Sequence, residues 1–588
     1  MTSGEDGLTI YRSSFNPSIE VERLLRQGKI ISEIETPASM VERMVSALLA
    51  PEIDFGTSAT EIQKLSGTFG QLLDSGHIVM STPVMTNAGR YKNRPLSACT
   101  VPPVNLRREL AQAKNIINQC HQDGMGTGFD LSDTDSPVEV LKFLNLIAVE
   151  GEQSGREDRP VGNMATCSVS HPKIEEFIAA KVSADSRQEE WKFNLSVAVT
   201  RLFMDAVRNR RQWYFQNGNS IPAFYLMREI AVAAHACADP GLIDLERMQI
   251  DNPTPAIGQY VSTAPCAEVG LAPGETCQFG YLNLGKFLSW RDGKSSIDYK
   301  TLEFATRLLT RVLDNALEVS IGSYSTPESK RVMSAKRKIG VGICGLADML
   351  AFMGLPYDSE EGRNVAQDIA SFINYVSKLE SVKLAKSRGS FSGILSPGCL
   401  HTCDPSFIER KYCSQSTRSV DAEEWRNLAK EIRKTRMLRH ASTTAFPPTG
   451  RSGLVVEAST GIEPLFRLEL FGKIHPALQP ELSNMLNDKF AVALVTQSGT
   501  CQDLEEMPAD KKRVFRTAIE ISPNDHLLMA ATLQQWVDES LSKTVNLPTS
   551  ATVEDVTNIF LQGYQLGLKG ITVYRDSSKN QQPRRLIK

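Results

Sequence analysis

Residues 262–284 read STAPCAEVGLAPGETCQFGYLNL, with a thiol at Cys266, a carboxylate at Glu268 and a second thiol at Cys277. The residue before a proline avoids the helical region, so Ala264-Pro265 favours extended chain. Alternate residues of an extended chain share a face, which is expected to put Ala264, Cys266 and Glu268 on one side. A thiol two residues from a carboxylate is equipped as a radical or nucleophile with its own acid/base partner. The same residues also suit a buried cysteine beside a surface glutamate, and the motif alone does not decide.

Two further segments carry groups suited to an anionic substrate. In STPVMTNAGRYKNRPLSACTV, residues 81–101, Ser81, Thr82 and Gly89 suit close approach to a phosphate or ribose, and Ala98-Cys99 brings another thiol. In FPPTGRSGLVVEASTGIEPLF, residues 446–466, Pro448, Thr449, Gly450, Arg451 and Ser452 offer backbone N–H groups, two hydroxyls and a cation. That is the chemistry of a phosphate cradle, without the spacing of a P-loop. GMGTGF at 124–129 matches a dinucleotide glycine fingerprint only loosely and follows no clear strand. Cys399, His401, Cys403 and Cys413 lack a standard zinc spacing, so they read as solvent-side residues and no metal site is expected.

The elements that must position these groups follow from composition and pattern. The chain has 588 residues, 41% hydrophobic and 23% charged, the balance of a globular protein with a large core. Lys and Arg number 65 against 68 for Asp and Glu, with no block of like charge, so no nucleic-acid surface is expected. MTSGEDGLTI lacks the apolar run of a signal peptide, and no stretch approaches the ~18 apolar residues of a membrane span. A cytoplasmic protein with its eleven cysteines mostly reduced is the expectation. Residues 18–76 show helical spacing, with a helix start at Thr36-Pro37. Beyond residue 78, helix-like segments (Val138 to Val149, Leu302 to Leu317) alternate with strand-like ones (Asn194 to Val199), which argues for parallel strands joined by helices.

Thirteen segments, in order from about residue 30 to 578, carry a resemblance: ETPASM, STPVMTNAG, LSAC, DGMGTGFDLS, NMATCSVSHPKIEEFI, FNLSVAVT, DPGLIDLERMQIDNPTP, PCAE, RKIGVGICGLADML, PPTGRSG, ASTGIEP, SKTVNLP and KGITVYRD. On these the chain resembles the catalytic subunit of ribonucleotide reductases, in the adenosylcobalamin-dependent (class II) branch. The resemblance implies a ten-stranded α/β barrel with a central finger loop. A small helical region, 1–77, would precede the barrel at 78–578. The barrel would include a polar surface excursion near 395–440, and a disordered tail, 579–588, would follow.

It also implies roles. Cys266 matches the finger-loop thiyl radical that takes the 3′ hydrogen of a ribonucleotide once adenosylcobalamin loses its adenosyl group. Glu268 matches the carboxylate handling the 3′-OH proton. Cys99 and Cys277 match the pair that protonates the departing 2′-OH and ends as a disulfide. Ser81, Thr82, Ala98, Ala264, Pro448, Thr449, Gly450, Arg451 and Ser452 match substrate-binding positions.

Three features depart from the family pattern. Ala264 stands where the family has Asn. No cysteine follows Cys501, so a reductase would need an external thiol donor (thioredoxin-like), a partner protein or a different internal pair. Only Asp133 to Asp135 separate GFDLS from SPVEVLKF, which shortens the effector loop and implies reduced allosteric control, although a homodimer is the family precedent. The expected activity is reduction of a ribonucleoside di- or triphosphate. The alternatives are redox-neutral substitution at C2′, such as chlorination, and a non-catalytic nucleotide-binding paralogue.

Overall fold

The computed structural model describes residues 11–108, 110–154, 161–182, 190–414 and 416–578; the tail expected to be disordered, 579–588, lies outside them. Ten strands matter for the site: β1 (Ile78–Met80), β2 (Cys99–Thr100), β3 (Gly126–Asp130), β4 (Asn163–Ser168), β5 (Phe193–Ala198), β6 (Gly241–Ile243), β7 (Phe279–Asn283), β8 (Gly340–Cys344), β9 (Thr544–Leu547) and β10 (Gly570–Arg575). Seven form one sheet in the order β9-β10-β6-β5-β4-β3-β2, and three form another, β1-β7-β8. Within the large sheet β2 to β6 run parallel, as the alternating pattern predicts, and β10 runs antiparallel to β6.

Backbone hydrogen bonds cross both seams between the sheets. At one, Cys277 N–H donates to Cys99 O and Val101 N–H to Glu275 O, around an antiparallel bridge of Thr100 with Thr276. At the other, residues 442–446 bridge β8 and the approach to β9: Val341 N–H donates to Thr443 O, and Phe446 N–H to Ser540 O. The extended segments therefore follow one another round a ring of ten, counting 442–446, with β1 outside it on β7. This is the mixed α/β barrel architecture.

The N-terminal helices pack on this ring. Helix Pro37–Leu49 starts at Thr36 with a reciprocal capping box and Pro at its first position, as the sequence indicates. Fully buried Glu52 receives Arg311 and Arg388, fastening the N-terminal helices to helices Tyr299–Ile321 and Glu360–Arg388. Within the segment 395–440, polar by composition, helices Leu400–Cys403, Phe407–Tyr412 and Ala422–Thr435 form, and Phe407, Tyr412, Trp425, Leu428 and Ile432 are buried. Cys399 and His401 are buried there as well, whereas Cys403 is exposed. Among the described residues no cluster of His, Cys, Asp and Glu is placed to hold a metal ion, and no helix is long and apolar enough to cross a membrane.

The glycines of β3 have a packing reason. The finger loop runs across the inner face of the sheet, where a Cβ at Gly128 would collide with the carbonyl oxygen of Thr263. One at Gly126 would strike Gly162 O and lie 3.0 Å from the Pro265 ring. GMGTGF is thus a track for the finger rather than a nucleotide fingerprint. Gly128→Ala is expected to cost about 3 kcal/mol by overpacking backbone against backbone. Urea unfolding measures this, and a change below about 0.5 kcal/mol would contradict the packing.

Candidate active site

Two short antiparallel strands, Ser262–Thr263 and Gly270–Leu271, form the finger, and residues 264–269 form its tip. The tip is a turn rather than the extended chain expected from Ala264-Pro265. Ala267 N–H closes back on Ala264 O (3.0 Å), Ala264 N–H reaches Val269 O (3.1 Å), and Ala267 takes a left-handed φ of 62°. Pro265 supplies the second residue of that turn, a position that suits its fixed φ. Ala264 itself is fully enclosed, and Cys266 is half-buried. Glu268 is 3% exposed; its Oε2 finds no hydrogen-bond partner among the described residues, and its carbonyl accepts Ser540 N–H (3.1 Å).

The other two thiols meet on the wall. Both Ala98 and Cys99 bond to Cys277, since Ala98 N–H donates to Cys277 O and Cys277 N–H to Cys99 O, each at 3.1 Å. Two residues opposite one make a β-bulge, a device that re-aims a side chain. Directly opposed strand residues lie within the ~7 Å a disulfide needs. The Cys99 thiol lies far above the ordinary thiol range, first through its hydrogen bond with Cys277, then through burial and the nearby Cys277, Glu268 and Cys266. Burial, Glu268 and Cys277 likewise push up the Cys266 thiol. The finger tip and the wall pair therefore share one site.

Electrostatics narrow the chemistry this site can do. A nucleophilic cysteine needs a depressed pKa and positive surroundings. Here burial and a carboxylate keep the Cys266 and Cys99 S–H bonds intact at neutral pH, which suits donation of hydrogen atoms or protons. Burial also raises Glu268 from 4.5 to about 7, against the pull of the Glu268 and Cys266 backbone N–H groups. Tyr281 joins the group: burial, then Glu268, Cys277 and Cys99, push its phenol well up. Sequence reasoning missed it because a buried tyrosine in GYLNL reads as core. The available signal was alternation, since Cys277, Phe279 and Tyr281 share one strand face.

The candidate phosphate groups stand beyond Tyr281. A Cβ at Gly342 would touch both the Tyr281 ring and Pro447, so the loop that begins at 447 adjoins the group of thiols, carboxylate and phenol. Helix Gly450–Val455 packs on β1, which leads straight into Ser81. Ser81 is the N-cap of helix Thr82–Asn87, yet its hydroxyl makes no capping bond and has no partner among the described residues. Arg451 Nη1 likewise has none, and burial lowers the Arg451 pKa although Glu152 offsets it. Thr82 and Ser452 are buried beside these two. Thr449, left-handed at φ 49°, spends its hydroxyl as acceptor for Gly461 N–H (2.7 Å), so it shapes the loop around Pro448 and Gly450.

Residues 127–574 match the family model for the ribonucleotide reductase barrel domain. The chain belongs to the ribonucleotide reductase family. A vitamin B12-dependent ribonucleoside-diphosphate reductase of Mycobacterium tuberculosis is 31% identical over 95% of this chain and 79% of its own length. One from Thermoplasma acidophilum is 31% identical over 90% of this chain and 67% of its own length. The class Id ribonucleotide reductase alpha subunit of Actinobacillus ureae shares the fold, with a TM-score of 0.74 at 17% identity over 96% of this chain and 98% of that one. In this family member the finger and the wall thiols thus occupy a barrel of the expected kind.

Proposed function

We propose that the chain is an adenosylcobalamin-dependent reductase that converts a ribonucleoside di- or triphosphate to its 2′-deoxyribonucleotide. The observation carrying this reading is the bulge that turns Cys99 onto Cys277, facing the Cys266–Glu268 tip. The M. tuberculosis and T. acidophilum relatives, named as B12-dependent diphosphate reductases, support it.

The site fits a bulky radical generator on one side only. Cys99, Cys277 and Glu268 are enclosed, while Cys266 keeps partial exposure beside Asn194, an exposed β5 residue whose side-chain amide donates to Pro265 O (2.9 Å). Asn194 and the tip backbone would hold the cofactor. Adenosylcobalamin held there would supply the one-electron chemistry that removes the S–H hydrogen atom of Cys266 and leaves this residue as a thiyl radical.

The chain's residues do the rest. Ser81 and Arg451, each with an unspent donor, grip the substrate phosphates. Cys266 takes the 3′ hydrogen atom and Glu268 accepts the 3′-OH proton. One thiol of the wall pair protonates the 2′-OH, which leaves as water, and the other gives its hydrogen to C2′, so the pair loses two electrons as the Cys99–Cys277 disulfide forms. Glu268 hands its proton back to O3′, and Cys266 returns hydrogen to C3′. Ribonucleotide plus two thiols thus gives deoxyribonucleotide, disulfide and water, and an external dithiol restores the pair.

Anaerobic incubation with adenosylcobalamin, ribonucleoside di- and triphosphates and chloride, with and without dithiothreitol, tests this by mass spectrometry. Deoxyribonucleotide accumulating beyond one equivalent only with thiol is the expected result. A 2′-substituted nucleotide formed repeatedly without thiol, or no deoxyribonucleotide at all, would overturn it. Arg451→Met is expected to raise KM for the nucleotide about 10- to 100-fold, the worth of a charged hydrogen bond, with a smaller change in kcat. Steady-state kinetics over a substrate series measures both.

A further inference from the structure

The finger is tied to the barrel wall by four buried charges, Lys336, Lys338, Glu275 and Glu539, none more than 3% exposed. Lys338, three residues before Val341 of β8, is the hub. Its ammonium donates to Gly270 O on the returning leg of the finger (2.9 Å) and to the Tyr260 hydroxyl on the outgoing leg (3.0 Å). It also pairs with Glu275 Oε1 (2.8 Å) and Glu539 Oε1 (3.2 Å). Tyr260 donates onward to Glu539 Oε1 (3.1 Å).

Each partner leads to a reacting group. Glu275 lies two residues before Cys277 on the segment that leads into β7, and its other oxygen accepts Ala272 N–H and pairs with Lys336. Ser540, the residue after Glu539, gives its N–H to the Glu268 carbonyl. One ammonium therefore joins both legs of the finger, the segment of Cys277 and the segment that holds Glu268.

The set is neutral, two cations against two carboxylates. A buried ion-pair set is weak evidence for stability, because apolar residues of similar volume hold a fold as well or better. What the directional contacts of Lys338 do fix is relative position. Under the reductase reading, on which this rests, Cys266 works at C3′ and the wall pair at C2′, one bond apart. Tip and wall come from different elements, and a misplacement of about 1 Å can cost ~10²-fold in rate.

We propose that Lys338 is a positioning residue that sets the Cys266–Glu268 tip against the Cys99–Cys277 pair. Removing its charge alone strands a buried carboxylate, so Lys338→Met confounds folding with position. The double variant K338M/E539Q keeps the site neutral and is expected to melt near the wild-type temperature. It is expected to lose about 100-fold in kcat while KM for the nucleotide stays within about threefold, since Ser81 and Arg451 stand apart from the network.

A second readout needs no turnover. Mild diamide oxidation, mapped by mass spectrometry, is expected to yield only the Cys99–Cys277 disulfide among these thiols in wild type. In the double variant Cys266 is expected to enter mixed disulfides with either. A double variant that is unfolded, or that keeps wild-type kcat or wild-type disulfide pairing, overturns the proposal. A wild-type protein that makes no deoxyribonucleotide would instead refute the reductase reading itself.

Discussion

Cys266→Ala is expected to abolish deoxyribonucleotide formation, by roughly 10⁵-fold or more, while leaving the fold and nucleotide binding intact. The magnitude is that of removing a residue with which all others act as a unit. Neither neighbouring thiol can stand in. Cys99 is 8% and Cys277 1% exposed, and both are turned toward each other on the wall. Alanine at a half-buried turn position leaves little cavity, and the turn is held by the backbone bonds of Ala264, Ala267 and Val269. The phosphate groups, Ser81 and Arg451, lie on other elements. Product by mass spectrometry and nucleotide binding by calorimetry separate the two effects. Turnover above about 1% of wild type would contradict the assignment.

Glu268→Gln is expected to slow turnover by about 10²- to 10⁴-fold, the range for a positioned acid/base group, and to stabilise the protein at the same time. Burial holds this carboxyl at about 7 against an ordinary 4.5. Its folded pKa is raised, so the folded state binds the proton more tightly than the unfolded chain. Stability is therefore lost as pH rises from about 4.5 through about 7, by roughly 3 kcal/mol in total. Glutamine removes that loss, and the variant should melt higher than wild type at pH 8 and equally at pH 4.5. Activity runs the other way. The carboxylate form is the base, so wild-type kcat should climb with pH up to about 7 and level off above it. A variant that melts lower at pH 8, or a flat wild-type profile between pH 6 and 8, would contradict this account.

The sequence made the thiols and carboxylate visible, but not their meeting. Local rules sufficed where the cause is local: Thr36-Pro37 starts a helix because capping is a contact between residues three apart, and Asn194 to Val199 reads as a strand from its own apolar pattern, which the structure places at Phe193–Ala198. They failed at the finger tip, where extended chain was expected but residues 264–267 close into a turn whose Pro265 ring packs against Gly126 and Gly162, both distant in the chain. The apposition of Cys99 and Cys277 rests on a bulge between residues far apart in the chain, which no periodicity announces. Family resemblance, rather than pattern, linked them in the sequence. Tyr281 and the Lys338 network were invisible for a different reason. A buried tyrosine looks like core, and lysines in a polar run look like surface until their carboxylate partners arrive from other elements.

The most direct test of the central claim is anaerobic turnover of a 3′-deuterated ribonucleoside diphosphate with adenosylcobalamin and dithiothreitol, alongside its protiated form. Wild type and Cys266→Ala would be run in parallel. Wild type is expected to form deoxyribonucleotide more slowly from the deuterated substrate, and the variant to form none from either. Equal wild-type rates from both substrates, or deoxyribonucleotide from the variant, would contradict removal of the 3′ hydrogen by Cys266.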